Sequence, residues 1–145
     1  MDSGSRLEGR SLLGGRAAGE ACVLEEPLSF WGGYDPESGR IIDRRHPQAG
    51  AALNGVILVM PSGRGSSSSS SVLAEAIRAG TAPAGIVLAE PDDIVVLGAL
   101  VARELYGTEV PVVVLAGDDY SRIGTGYAVA IDGSTVTITP PLSRS

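Results

Sequence analysis

Residues 61–71 read Pro-Ser-Gly-Arg-Gly followed by six serines. A β-rich run, Val56-Ile57-Leu58-Val59-Met60, enters this stretch, and Val72, Leu73, Ala76 and Ile77 leave it at helical spacing, closed by Gly80. A strand-to-helix turn with two glycines is where backbone N–H groups converge on an anion, and serines are favoured at helix N-caps. A serine hydroxyl is a poor base in water. At a helix N-terminus beside Arg64 its alkoxide is stabilised, so it can take the proton α to a carboxylate. Elimination then needs a second group to draw off a β-hydroxyl; this chain does not obviously supply one, and a metal held by a partner is the natural candidate.

Other readings of the same residues fit less well. A low-complexity Ser linker would not be flanked by a buried strand and an amphipathic helix. A nucleotide P-loop needs lysine, and the sequence has none. The dinucleotide fingerprint needs a third glycine where Ser68 stands; Glu90 and Asp92 lie near its acidic position, but the match is weak. His46, the sole histidine, sits in Arg-Arg-His-Pro, unlike the Gly-Gly-x-x-Ser-His setting of phosphohistidine carriers. It reads as structural or as part of a site rim. Asp35 and Asp43, in a Gly/Pro-rich stretch, read as turn-makers, and Trp31 before Gly32-Gly33 as a packing anchor. Asp118-Asp119 reads as a solvated turn, and no metal site is assigned.

Composition narrows the class. The 145 residues are 43% hydrophobic, enough for one core and incompatible with a disordered chain. Net charge is −6 with scattered arginines, which argues against nucleic acid. One cysteine, Cys22, excludes an intrachain disulfide and a cluster held by three of this chain's cysteines. The longest apolar run is far below the roughly 20 residues that span a bilayer, and the N-terminus lacks a signal-peptide core. A cytoplasmic protein acting on no membrane is expected.

The elements that must position the serine loop are α/β. Residues 1–8 read as a flexible lead-in, 9–140 as one domain and 141–145 as a tail. Ser11 to Phe30 suggests short antiparallel strands broken by Gly14-Gly15 and Gly19. Residues 31–50 are irregular, with a short strand near Gly39–Asp43. Strands follow at Val56–Met60, Ile86–Leu88 and Val110–Leu115. A second helix starts at Asp92-Asp93 and carries Ile94, Leu97, Leu100, Val101 and Leu105 as its apolar face. Asp132-Gly133 marks a hairpin between Tyr127–Ile131 and Thr135–Ile138.

From about Gly15 to Asp132 the sequence resembles the small-subunit family of aconitase X. The stretches that carry the resemblance are Glu26-Pro27-Leu28-Ser29-Phe30-Trp31-Gly32-Gly33, Asp35 to Asp43, His46-Pro47 and Pro61 to Ser68, with Ala82-Pro83-Ala84 and Gly98-Ala99 in agreement. The resemblance implies a swivelling β/β/α domain and the small part of a hydro-lyase, whose large aconitase-like part carries an iron–sulfur centre. It implies Ser66 as catalytic base, matching the first serine of the Gly-x-Gly-Ser-Ser-Arg loop of aconitase-type swivels. Gly63, Gly65 and Ser67 match too, but Ser68 replaces the arginine. Arg64, Gly65, Ser67 and Ser68 are therefore expected to hold substrate carboxylate, with Arg64 inferred rather than matched. Trp31, Gly32, Gly33 and His46 are expected at the rim. Known activities are dehydration of cis-3-hydroxy-L-proline to Δ1-pyrroline-2-carboxylate and of mevalonate 5-phosphate. The first is favoured because the lysine-free, Arg- and Ala-rich usage suits a high-GC bacterium. A non-catalytic carboxylate-binding module is the alternative of a different class.

Overall fold

A computed structural model describes residues 4–64 and 68–141 of the chain. Ten strands and two long helices organise them: β1 (Ser5–Glu8), β2 (Arg10–Leu13), β3 (Arg16–Val23), β4 (Tyr34–Asp35), β5 (Arg40–Ile41), β6 (Ile57–Met60), α2 (Ser68–Ala79), β7 (Gly85–Leu88), α3 (Asp93–Tyr106), β8 (Val112–Val114), β9 (Ala128–Asp132) and β10 (Thr135–Thr139). Two four-residue turns complete the order, α1 (Phe30–Gly33) and α4 (Gly117–Tyr120).

Eight strands form one sheet in the order β1-β10-β9-β3-β6-β7-β8-β2, and β4-β5 make a separate hairpin. Its two edge strands, β1 and β2, are separated in sequence by Gly9 alone, so the sheet must roll until its ends meet. A Cβ on Gly9 would strike the Val114 carbonyl oxygen, which is why this corner is glycine. β3 joins the two halves: residues 16–20 pair antiparallel with β9, and residues 21–23 pair parallel with β6.

The parallel strands β6, β7 and β8 alternate between two cores. Leu58, Met60, Ile86, Leu88 and Val112 face the helices. Ile57, Val59, Val87 and Val113 face Val129, Ile131, Val136 and Ile138 of the rolled-over half. Burial on both faces explains why these strands read as unbroken apolar runs. The three layers, sheet on sheet with helices outside, are the expected β/β/α arrangement.

Several expectations are corrected. The stretch expected to be a flexible lead-in includes β1, with Leu7 buried; one apolar side chain among polar neighbours gave an edge strand little signal. Gly19 lies inside β3 instead of breaking it, because Gly55 O passes 2.7 Å from where a Cβ would be. The buried face of α3 consists of Val95, Gly98, Ala99 and Ala102, while Leu97 and Leu105 are 45% and 67% exposed. Small residues win that face because α2 passes close: a Cβ on Gly98 would lie 2.8 Å from Ser70 O.

Candidate active-site half

The carboxyl ends of β6 and β7 open side by side, and their exits are tied together. Pro61 O accepts hydrogen bonds from Ala89 N (3.0 Å) and Glu90 N (3.1 Å). Beyond Pro61 the chain runs beside the segment before α1: Leu28 and Gly63 form a parallel bridge, and Arg64 N donates to Leu28 O at 3.1 Å. Gly63 N donates to Asp92 Oδ2 at 2.9 Å. A Cβ on Gly63 would lie 2.8 Å from that oxygen and 3.0 Å from Val95 Cγ2, so glycine permits the approach.

Asp92 is also the N-cap of α3, its Oδ1 accepting from Ile94 N (3.0 Å) and Val95 N (3.1 Å). One carboxylate thus caps a helix and grips the loop that leads into the serines.

The α1 segment forms the other wall. Trp31 (φ −83°, ψ 116°) and Gly32 (φ 83°, ψ −18°) are the central residues of a type II turn, which needs glycine second. Phe30 points inward and meets Tyr34 edge to face, with ring centroids 5.2 Å apart. Trp31 is left outward, 61% exposed, so it does not act as a packing anchor. Its N–H donates to Ser69 Oγ at 3.2 Å, fastening the turn to the first residues of α2. Leu28, Phe30, Arg64, Ser69, Asp92 and Val95 line a narrow crevice where these segments meet.

Against the sequence expectations, Gly65, Ser66 and Ser67 lie outside the described residues. Ser68 is the exposed first residue of α2. Arg64 is exposed beside the crevice and makes no ion pair among the described residues. Trp31 and Gly32 stand at the same end; Gly33 is buried, its carbonyl accepting Ile42 N at 2.9 Å.

His46 is only 6% exposed and turned inward. Its Nδ1 accepts the Gln48 N–H at 3.0 Å, so Nε2 carries the hydrogen and donates to Glu26 O at 3.1 Å. The Gln48 amide in turn bonds Val23 O (2.5 Å) and Glu25 N (2.9 Å). The pair pins the segment that runs into α1. Asp35 and Asp43 make turns as expected, accepting from Glu37 N and Arg45 N at 3.0 Å each. The Ser38 hydroxyl and Glu37 N–H hold the Asp35 carboxyl below its usual range.

Sequence reasoning missed Asp92 and Ser69 as parts of this site. Asp92 was legible as a cap, but a partner 29 residues away leaves no local signal. Ser69 was hidden in a run of identical residues.

Among the described residues no group of three His, Cys, Asp or Glu side chains could hold a metal ion. Cys22 lies half-buried on β3, where burial and, secondarily, Glu20 push its thiol up. As the one cysteine of the sequence it could supply a single thiolate ligand. No described helix is long and apolar enough to cross a membrane.

The sequence model of a family described as the aconitase X swivel domain matches residues 6–139. The chain belongs to that family. Across 133 residues this aconitase X swivel domain is 41% identical to cis-3-hydroxy-L-proline dehydratase of Hypocrea jecorina, covering 92% of this chain and 22% of the relative. With the cis-3-hydroxy-L-proline dehydratase of Pseudomonas aeruginosa it shares 52% over 106 residues, 73% of this chain and 18% of that one. The chain therefore spans about a fifth of the length of these two relatives. The phosphomevalonate dehydratase small subunit of Thermococcus kodakarensis is 37% identical over 90% of this chain and 92% of its own. A crystal structure of Thermococcus kodakaraensis aconitase X in its holo form superposes with a TM-score of 0.82 at 37% identity, covering 92% and 98% of the two chains.

Proposed function

We propose that this swivel domain is the small part of an aconitase-X-type dehydratase and completes an active site with a large aconitase-like partner. One observation carries the reading: the serines at 68–71 open α2 at the open end of β6, with Ser69 bonded to the Trp31 turn and Gly63 to Asp92. Within that frame Ser66 is the base. Its alkoxide, favoured by the helix N-terminus and Arg64, takes the proton α to the substrate carboxylate. The β-hydroxyl leaves and is lost as water. An iron–sulfur centre in the partner would supply the Lewis acidity that draws it off. Backbone N–H groups, Ser67 and Ser68 hold the carboxylate, and Arg64 adds a planar fork suited to it.

The favoured substrate is cis-3-hydroxy-L-proline, whose elimination product is an enamine that tautomerises to Δ1-pyrroline-2-carboxylate. Identities of 41% and 52% to dehydratases of that name, against 37% to the archaeal small subunit, support this choice. Mevalonate 5-phosphate is the second reading, supported by the 37% identity to the archaeal small subunit of phosphomevalonate dehydratase. A cytoplasmic location goes with either. The test is co-purification with the large aconitase-like protein and assay of the pair on both substrates. Turnover should require both chains. Activity of the isolated small chain would sink the shared site, and a tight complex that turns over neither substrate would favour a carboxylate-binding module.

A further inference from the structure

We propose that Asp92 is a positioning residue which, on the dehydratase reading above, sets the catalytic geometry of the serine loop without touching substrate. Three N–H groups converge on its carboxylate from two directions. Oδ1 takes Ile94 N and Val95 N of α3, and Oδ2 takes Gly63 N of the loop. The first pair fixes the carboxylate on a rigid helix; the third transmits that placement to a segment three residues before Ser66. Gly63 has no side chain to keep the two apart, and its Cβ position falls 2.8 Å from Oδ2. The opposite flank of the loop is bound to Leu28 through Arg64 N, so Gly63 and Arg64 are held from both sides. This grip holds Gly63, three residues before Ser66 in the chain.

The two oxygens can be separated experimentally. Asp92→Asn keeps one acceptor, which caps α3 and leaves an amide N–H facing Gly63 N, and Asp92→Ser caps but does not reach Gly63. Both should fold, since Asn and Ser are good caps. Gly63→Ala breaks the same contact from the other side with Asp92 intact. In complex with the large partner, each variant should lose about 10- to 100-fold in kcat, while KM changes less than about threefold. The Gly63→Ala/Asp92→Asn double variant should lose no more than the worse single, because both remove one contact. In the isolated full chain, amide exchange at Gly63 should accelerate in Asp92→Asn and Asp92→Ser, with Val129 of the other core unchanged.

Faster exchange at Gly63 with wild-type kcat would overturn the positioning role, as would losses that multiply in the double variant. Unchanged exchange in both Asp92 variants would overturn the grip itself. If the wild-type complex turns over neither substrate, the dehydratase reading fails, and exchange at Gly63 alone decides whether Asp92 holds the loop.

Discussion

The two faces of β6, β7 and β8 are built from the same kind of residue and do different work. On the face toward β1, β9 and β10, apolar side chains meet apolar side chains, and glycines such as Gly85 let the layers close. On the face toward α2 and α3, the core continues at its open end into a mesh of polar bonds joining four chain segments. The first face holds the molecule together; the second also aims something outward. Exposed Trp31, exposed Arg64 and the serines at 68–71 of α2 gather at the second. A perturbation on the helix side should therefore read out in turnover, and one on the sheet side in stability.

The largest test of that division is Ser66→Ala. Losing a general base typically lowers rate by about 10²–10⁴-fold, so kcat of the complex should fall by that order. The isolated chain should lose no more than a cap's worth of stability, roughly 0.5–2 kcal/mol. Ser67→Ala should instead raise KM, and Ser71→Ala, exposed a turn further on, should be mild. If Ser66→Ala stays active while Ser67→Ala or Ser68→Ala is dead, the loop stands and the residue assignment moves. If all three stay active, the serine base is wrong.

Gly9→Ala probes the sheet side. Its Cβ would collide with the Val114 carbonyl and Leu115 Cδ2 at the seam, and overpacking of this kind costs about 1–3 kcal/mol. Melting should drop by several degrees, with kcat per folded complex unchanged; a fall in kcat at full occupancy would show that the two faces are not independent. Gly98→Ala presses on Ser70 O and Leu73 between the helices, and should lower both melting temperature and kcat. Leu97→Ser and Leu105→Ser, exposed on α3, should leave the isolated chain within about 0.5 kcal/mol.

What the sequence revealed follows the same division. Strands buried on both faces announced themselves as unbroken apolar runs, and the Asp-Gly hairpin appeared at Asp132-Gly133 with φ 64° at Gly133. The face of α3 was misread because periodicity ranks residues by size, whereas close helix approach selects Gly98, Ala99 and Ala102. β1 escaped because an edge strand with one buried side chain has no pattern to show. At the site, the resemblance pointed to the loop and the α1 turn. It could not reveal that Asp92 and Ser69 fasten them, since hydrogen bonds across 29 and 38 residues leave no periodic trace.

A pH-dependent effect comes from two tyrosines, one in each half of the comparison. Tyr34 packs in the helix-side core and its hydroxyl donates to Thr81 O at 2.7 Å. Tyr120 packs beside the sheet-side core, and its buried hydroxyl has no partner among the described residues. Tyr34→Phe should therefore lose about 1 kcal/mol, leaving Thr81 O unpaired, while Tyr120→Phe should be neutral or gain up to about 1 kcal/mol. Burial pushes both hydroxyls up to about 12 from an ordinary 10.0. The sign follows from which state holds its proton longer. Below pH 10 both states are protonated and stability is full; between 10 and 12 the unfolded chain ionises first, so stability falls as pH rises. Thermal melts across that window should show a shallower alkaline decline for either Phe variant than for wild type. Equal slopes in all three proteins would mean that neither hydroxyl is held in its neutral form by the fold.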